Sequence, residues 1–386
     1  MVQWFKHIRR GFGRITGIST PLFGLQWEHN KEDTNGEARH DSMSLPLRLL
    51  TFIWNYPCGD QNDVAWAVKE SYVLRGYLEK ARREPGLGIA ILSTELALKA
   101  FGSAADGRID GCVRWALAHT QKEKPYLLLT EKIDPITSSI SVEPDFRHSL
   151  AFAVILARTR RHYGYLESYL DLTLASQMID GGWDPGGGAT ISEVFTVMYA
   201  VELLTLCSTN ERFTEQQRIH IQQSVDRGIH WLMRKVDTDH LWRSGALSEF
   251  AWDGLFTTAW VINRLAPIVD ASIEGWTNCV KGSLDSMVRH ALSTSVWRGT
   301  ESDQKFRVES RIAASVSRAV RALPLDGFSK DTATLYLNGW KNQATKWVTS
   351  LSDKDLDLAT ALFLIYALIE PTDVQHYAQQ VLKLEQ

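Results

Sequence analysis

Cysteine is scarce in this sequence: there are 4 among 386 residues. Cys58, Cys112, Cys207 and Cys279 stand too far apart to form a paired-cysteine zinc motif. So few thiols point to a reducing, cytoplasmic setting. No apolar run reaches the ~18 residues that a membrane span requires. The basic start, Lys6, Arg9 and Arg10, is not followed by the apolar core of a signal peptide. An excess of one charge is missing as well, because the formal net charge is −3, and that argues against a nucleic-acid surface. No His-Glu-x-x-His, Cys-x-x-Cys or Gly-x-Ser-x-Gly string occurs, so zincin, dithiol and nucleophile-elbow chemistry have no motif to rest on. Neither a metal site nor a cofactor is expected.

What is present is a globular composition, 44% hydrophobic and 23% charged, with 14 tryptophans. The length exceeds the ~250–300 residues at which one compact core stops growing. Two domains, or one large closed architecture, must accommodate it. Residues 1–60 differ from the rest. Gly11, Gly13, Gly17, Pro21, Gly24 and Gly36 interrupt every helix there, and 28–42 is a charged, solvated stretch. We read 1–60 as an irregular N-terminal extension with at most a short hairpin, and 61–386 as the main domain. An arm of this kind, residues 1–40 above all, is the place where a protein partner would bind.

From residue 61 the pattern becomes helical and repetitive. Six apolar runs recur, at 91–101, 146–156, 191–206, 255–265, 312–323 and 358–369, each nearly free of charge through its centre. Longer amphipathic runs follow them at 108–119, 165–178, 215–234, 272–292, 330–351 and 374–384. A helix apolar on all sides is buried, whereas one with a polar face lies outside. Six buried helices alternating with six outer ones predict an all-α (α/α)6 toroid. An extra outer helix is expected over 61–84, and 122–144 breaks the pattern with a strand or loop at Tyr126–Thr130.

The junctions repeat too. Asp180-Gly181-Gly182-Trp183 follows the second outer helix, His240-Leu241-Trp242 the third, and Val296-Trp297 the fourth. The tryptophan separations (242 − 183 = 59 and 297 − 242 = 55) fit one helix pair per repeat. Gly181 and Gly182 can supply the left-handed backbone that ends a helix, after which the indole packs back between neighbouring pairs.

The stretch Gln177-Met-Ile-Asp180-Gly-Gly-Trp183 resembles the repeated Gln–Trp signature of the terpenoid cyclase and protein prenyltransferase toroid superfamily. The resemblance is sharp at this junction, degenerate at Trp242 and Trp297, and covers roughly residues 85–386. It implies the toroid fold, in which the signature clamps adjacent helix pairs, and it implies nothing about activity. The superfamily's catalytic groups are not matched. No Asp-x-Asp-Asp string, Asp-Asp-x-x-Asp metal cluster, Asp-x-Cys with a placed His, or Cys-His pair occurs here.

In such a ring the residues just inside the buried helices converge at one mouth. Those with acid–base capacity are Glu193, Asp253, Asp145 and His148, the last two being an i, i+3 pair after Pro144. Glu193 is the most conspicuous, because the apolar run around it would desolvate its carboxyl and raise its pKa. Trp252, Arg307, Glu309 and Arg311 are the ligand-contact candidates, the arginines as a clamp for an anion. Carboxylates at helix starts also follow from capping and the helix dipole alone, at about 0.3–1 kcal/mol each. Three readings stay open. The first is a non-catalytic toroid acting as a ligand-sensing or protein-interaction component of a larger assembly. The second is a glycoside hydrolase or lyase using inner-helix carboxylates. The third is a divergent terpenoid cyclase whose aromatic walls would stabilise a carbocation.

Overall fold

The computed structural model describes residues 44–55, 99–118, 127–133, 140–160, 163–184, 192–244, 253–293, 327–350 and 373–384. It adds isolated positions at Leu96, Val316, Arg318 to Val320, Ala361, Leu362, Leu364, Ile365, Leu368 and Ile369. Residues Met43–Gln386 form one compact unit, and Met1–Ser42 form another that lies outside the described residues. The expected helix over 61–84 lies outside them as well.

Apart from one hairpin, the described residues are helical. The order is α1 (Leu45–Asn55), α2 (Asp106–Ala118), β1 (Leu127–Ile133), β2 (Ile140–Asp145), α3 (Phe146–Thr159), α4 (Tyr163–Ala175), α5 (Val194–Ser208), α6 (Glu215–Arg234), α7 (Asp253–Leu265), α8 (Trp276–Ser293), α9 (Gly327–Ser350) and α10 (Val374–Leu384). A short 3-10 turn, Gly102–Ala105, leads into α2. The hairpin resolves the break in the pattern. Leu127 pairs with Asp145 and Ile133 with Ile140, with an irregularity between Leu128 and Thr130.

Helix α1 corrects the reading of 1–60 as irregular throughout. Its Leu49, Leu50, Ile53 and Trp54 are buried at helical spacing. Pro46 in the first turn is compatible with a helix start, where its missing N–H leaves nothing unpaired.

Over 146–293 the predicted alternation is realised. Helix α5 is apolar all round and buried from Val194 to Leu204 with Phe195 as the exception, and α7 is buried along nearly its whole length. Helix α6 is amphipathic, burying Ile221, Ser224, Val225, Gly228, Ile229, Trp231 and Leu232. It starts at a capping box in which Thr214 and Gln217 satisfy each other's backbone N–H. Among the buried helices α5 packs on both α3 and α7, and α3 packs on α4, α5 on α6, α7 on α8, and α6 on α8. Two layers result, one of buried and one of amphipathic helices. Helix α9 extends the outer layer from α8, and α1 packs against both α9 and α10.

The junctions hold the layers in register by the same bonds used twice. The Trp183 indole N–H donates to the carbonyl of Thr173 at 2.8 Å, ten residues back. Trp242 does the same to Leu232 at 2.9 Å, again ten residues back. Both indoles are fully buried. Met178 and Gly182 close the first turn as Asp237 and Leu241 close the second. The left-handed position is Gly181 in one (φ +91°) and His240 in the other (φ +57°).

Each turn is also tied to the next outer helix. Gln177 Nε2 donates to Ser224 O at 2.9 Å, Trp231 Nε1 to Asp180 Oδ2 at 2.9 Å, and Arg234 to Asp180 O at 2.8 Å. In the second turn Ser286 donates to Asp239 O. A methyl group on Gly228 would stand 2.6 Å from Val201 and 2.9 Å from the Trp183 ring, so α6 approaches α5 closely only because residue 228 has no side chain. The tryptophan clamp expected at 183 and 242 is therefore present in atomic detail, while Trp297 lies outside the described residues.

Candidate functional site

The chemistry-bearing residues of the buried layer gather along the seam between α5 and α7. Residues three and four apart share a helix face, which aligns Phe195, Tyr199 and Glu202 on α5 with Phe256, Trp260 and Arg264 on α7. Three rungs cross the seam. At the N-terminal ends, Phe195 and Phe256 meet edge-on with ring centroids 6.4 Å apart. One turn deeper, Trp260 Nε1–H donates to the Tyr199 hydroxyl oxygen at 3.3 Å. One turn deeper again, Arg264 Nε–H donates to Glu202 Oε2 at 2.8 Å. Phe256 stacks on Trp260 with centroids 5.6 Å apart, which joins the first two rungs.

Exposure falls along the seam. Phe195 and Phe256 are partly exposed, Tyr199 and Trp260 are buried, and Glu202 and Arg264 are completely enclosed. The result is an aromatic wall that opens at one end and terminates at a buried ion cluster. That cluster includes a second guanidinium, for Arg158 of α3 places Nε 2.9 Å and Nη2 2.5 Å from Glu202 Oε1. Arg264 Nη2 reaches the same oxygen. One carboxylate thus ties three buried helices together. Burial pushes the Tyr199 phenol pKa up, against the pull of the Trp260 hydrogen bond and of Arg264, so the phenol stays protonated.

Glu193 stands at the mouth of the same helix. It is the N-cap of α5, and its Oε2 accepts from Thr196 N–H at 2.9 Å and from the Thr196 hydroxyl at 3.0 Å. Its Oε1 is buried without a hydrogen-bond partner among the described residues. Burial pushes its pKa up, as the apolar run around it predicts, while the positive charge of Arg147 pulls it part of the way back. The carboxyl therefore holds its proton to higher pH than a free glutamate does.

The other sequence candidates fare differently. Asp253 opens α7 and is fully buried. Its two oxygens lie 3.2 Å from Ser244 N–H, and Oδ1 accepts from the Thr257 hydroxyl at 2.7 Å. It pins the approach to α7, and this use engages both oxygens. Asp145 closes strand β2 opposite Leu127 and directly precedes α3, and His148 sits half-buried in the first turn of that helix. Trp252, Arg307, Glu309 and Arg311 lie outside the described residues, as does the 1–40 arm.

The Arg158–Glu202–Arg264 cluster is absent from the sequence reading, because Glu202 lies in a run that reads as nearly free of charge. A usable signal was there: a single acidic residue in an otherwise apolar helix must find cations, and arginines close the two flanking buried helices. Among the described residues no group of three His, Cys, Asp or Glu is placed to hold a metal ion, and no helix is long and apolar enough to cross a membrane. No protein-family model and no curated protein matches the chain.

Proposed function

We propose that the chain is a toroid of the terpenoid cyclase and prenyltransferase type that binds a mostly apolar small molecule in the bowl of its buried helices. It would serve as a ligand-sensing component and not as one of that superfamily's known enzymes, whose catalytic strings its sequence lacks. The observation that carries this reading is the aromatic seam of Phe195, Phe256, Tyr199 and Trp260, open at the first rung and sealed at its depth. Two features support the ring. The layers alternate over 146–293, and the first and last described helices, α1 and α10, pack together as closure of a ring requires.

Binding of the isoprenoid hydrocarbon farnesene, followed by isothermal titration calorimetry, tests the reading. Saturable binding is expected in the wild type, weakened about tenfold or more by Phe256→Glu, which buries a charge at the open rung. The same change on the outer helix, Ile219→Glu, is expected to leave it intact, because Ile219 is 44% exposed. Equal binding by Phe256→Glu and wild type would sink the bowl as the site.

A second reading, acid catalysis on an isoprenoid, is favoured by one observation, the half-satisfied Glu193 carboxyl, whose Oε1 is buried without a partner among the described residues and whose pKa burial raises. Incubation with polyene isoprenoids should then give cyclised products that Glu193→Gln abolishes. Product formation unchanged in that variant removes the role.

A further inference from the structure

The apolar-ligand reading leaves one group of the seam without a use. Tyr199 is 7% exposed, and its hydroxyl oxygen accepts the Trp260 indole N–H. An indole nitrogen only donates, so the phenol cannot return its own proton to that partner. No acceptor for the proton stands among the described residues. The nearest carboxylate along the helix, Glu202, is already engaged at both oxygens by Arg158 and Arg264. Enclosed hydroxyls are normally satisfied, and an enclosed donor with nothing to give to marks a place where an acceptor belongs. Trp260 fixes the oxygen's lone-pair side, which turns the O–H away from the indole. The partly exposed rings of Phe195 and Phe256 lie on the open side of this rung and offer only hydrocarbon surface.

We propose that Tyr199 is the specificity-determining donor of the bowl: its O–H, oriented by Trp260, hydrogen-bonds an acceptor oxygen of a ligand whose hydrocarbon part lies along Phe195 and Phe256. The ligand class is then an apolar molecule carrying a carbonyl, ester or ether oxygen, and a pure hydrocarbon is disfavoured. Burial holds the phenol in its protonated form, as this role requires. The inference rests on the bowl being a ligand site.

The test is a comparison of two probes in calorimetric titrations of the full chain. One is the isoprenoid ketone geranylacetone, which can only accept a hydrogen bond. The other is the hydrocarbon of the same skeleton with the carbonyl reduced to methylene. Wild type is expected to prefer the ketone by about tenfold, the value of one hydrogen bond in a dry site. Tyr199→Phe, which removes one oxygen and keeps the ring, is expected to erase that preference by lowering affinity for the ketone about tenfold, to that of the hydrocarbon measured on the same variant. A purely structural role for the hydroxyl would lower both affinities together and keep the preference. Retention of the preference by Tyr199→Phe overturns the proposal, and so does equal affinity of the wild type for the two probes. If the wild type binds neither probe, the bowl reading fails and takes this inference with it. If it binds both equally, the inference alone fails.

Discussion

Glu193 and Glu202 belong to the same turn-and-helix segment, one capping α5 and the other in its interior, and their surroundings treat them in opposite ways. Glu193 keeps one oxygen on Thr196 and leaves the other shielded from water without a partner. Glu202 is more deeply buried, at 0% exposure, yet both its oxygens are occupied by the guanidiniums of Arg158 and Arg264. Depth therefore does not decide which carboxylate is available for chemistry. Partner supply decides it. A carboxylate matched by two cations is a fastener between helices, while one that is desolvated and only half-satisfied retains capacity to give or take a proton.

The contrast can be broken most forcefully at Glu202. Glu202→Gln keeps the shape and removes the charge, leaving two guanidiniums facing a neutral amide, and is expected to cost about 3–5 kcal/mol of unfolding free energy. Urea denaturation measures it, and a cost below about 1 kcal/mol would mean that the cluster does not hold α3, α5 and α7 together.

Asp253 is an intermediate case, a buried carboxylate satisfied by neutral donors alone. Asp253→Ala should cost about 1–3 kcal/mol by stranding Ser244 N–H and the Thr257 hydroxyl. A loss as large as that at Glu202 would erase the distinction between charged and neutral partners.

Glu193→Gln is expected to have the smallest effect on stability at neutral pH, and its signature is in the pH dependence. The folded-state pKa is raised above the ordinary glutamate value of 4.5, so the native protein binds this proton more tightly than the unfolded chain does. Stability from this group is fully present below 4.5 and is lost as pH rises through the raised value. Wild type minus Glu193→Gln, measured from pH 4 upward by denaturant titration, should therefore fall with pH and then level off. A flat difference would show that the site does not desolvate its carboxyl. The Asp180 carboxylate should give the opposite slope. Its slight burial acts upward, but hydrogen bonds from Gly182, Trp231 and Ser192 outweigh that and hold its pKa down, so its contribution is lost as pH falls.

How much of this was legible in the sequence follows from how local each signal is. The ends of α6 and α10 could be read to the residue, since Thr214 and Gln217 form a capping box and the apolar spacing of α10 is regular. The clamp at Gln177 to Trp183 was legible because its spacing is set by one turn of chain. Glu193 was legible as a carboxyl opening an apolar run. Helix α1 was not, because the glycine-rich stretch before it dominated the composition of 1–60, while its own burial depends on α9 and α10, more than 270 residues away (327 − 55 = 272). Strand β2, which runs up to Asp145, was not legible, because it forms only by pairing with β1.

By itself the sequence determined the period of the chain, the alternation of buried and amphipathic helices, and the tryptophan turns that join them. Each is encoded within about one or two helical turns, where residue spacing sets geometry directly. Tertiary structure alone decided which of the polar residues in the buried layer are spent and which are left open. Arg158, Glu202 and Arg264 come from three different helices, and Tyr199 meets Trp260 across 61 residues. A buried charge or hydroxyl acquires its role from what the packing brings within hydrogen-bonding distance, and no local pattern specifies that.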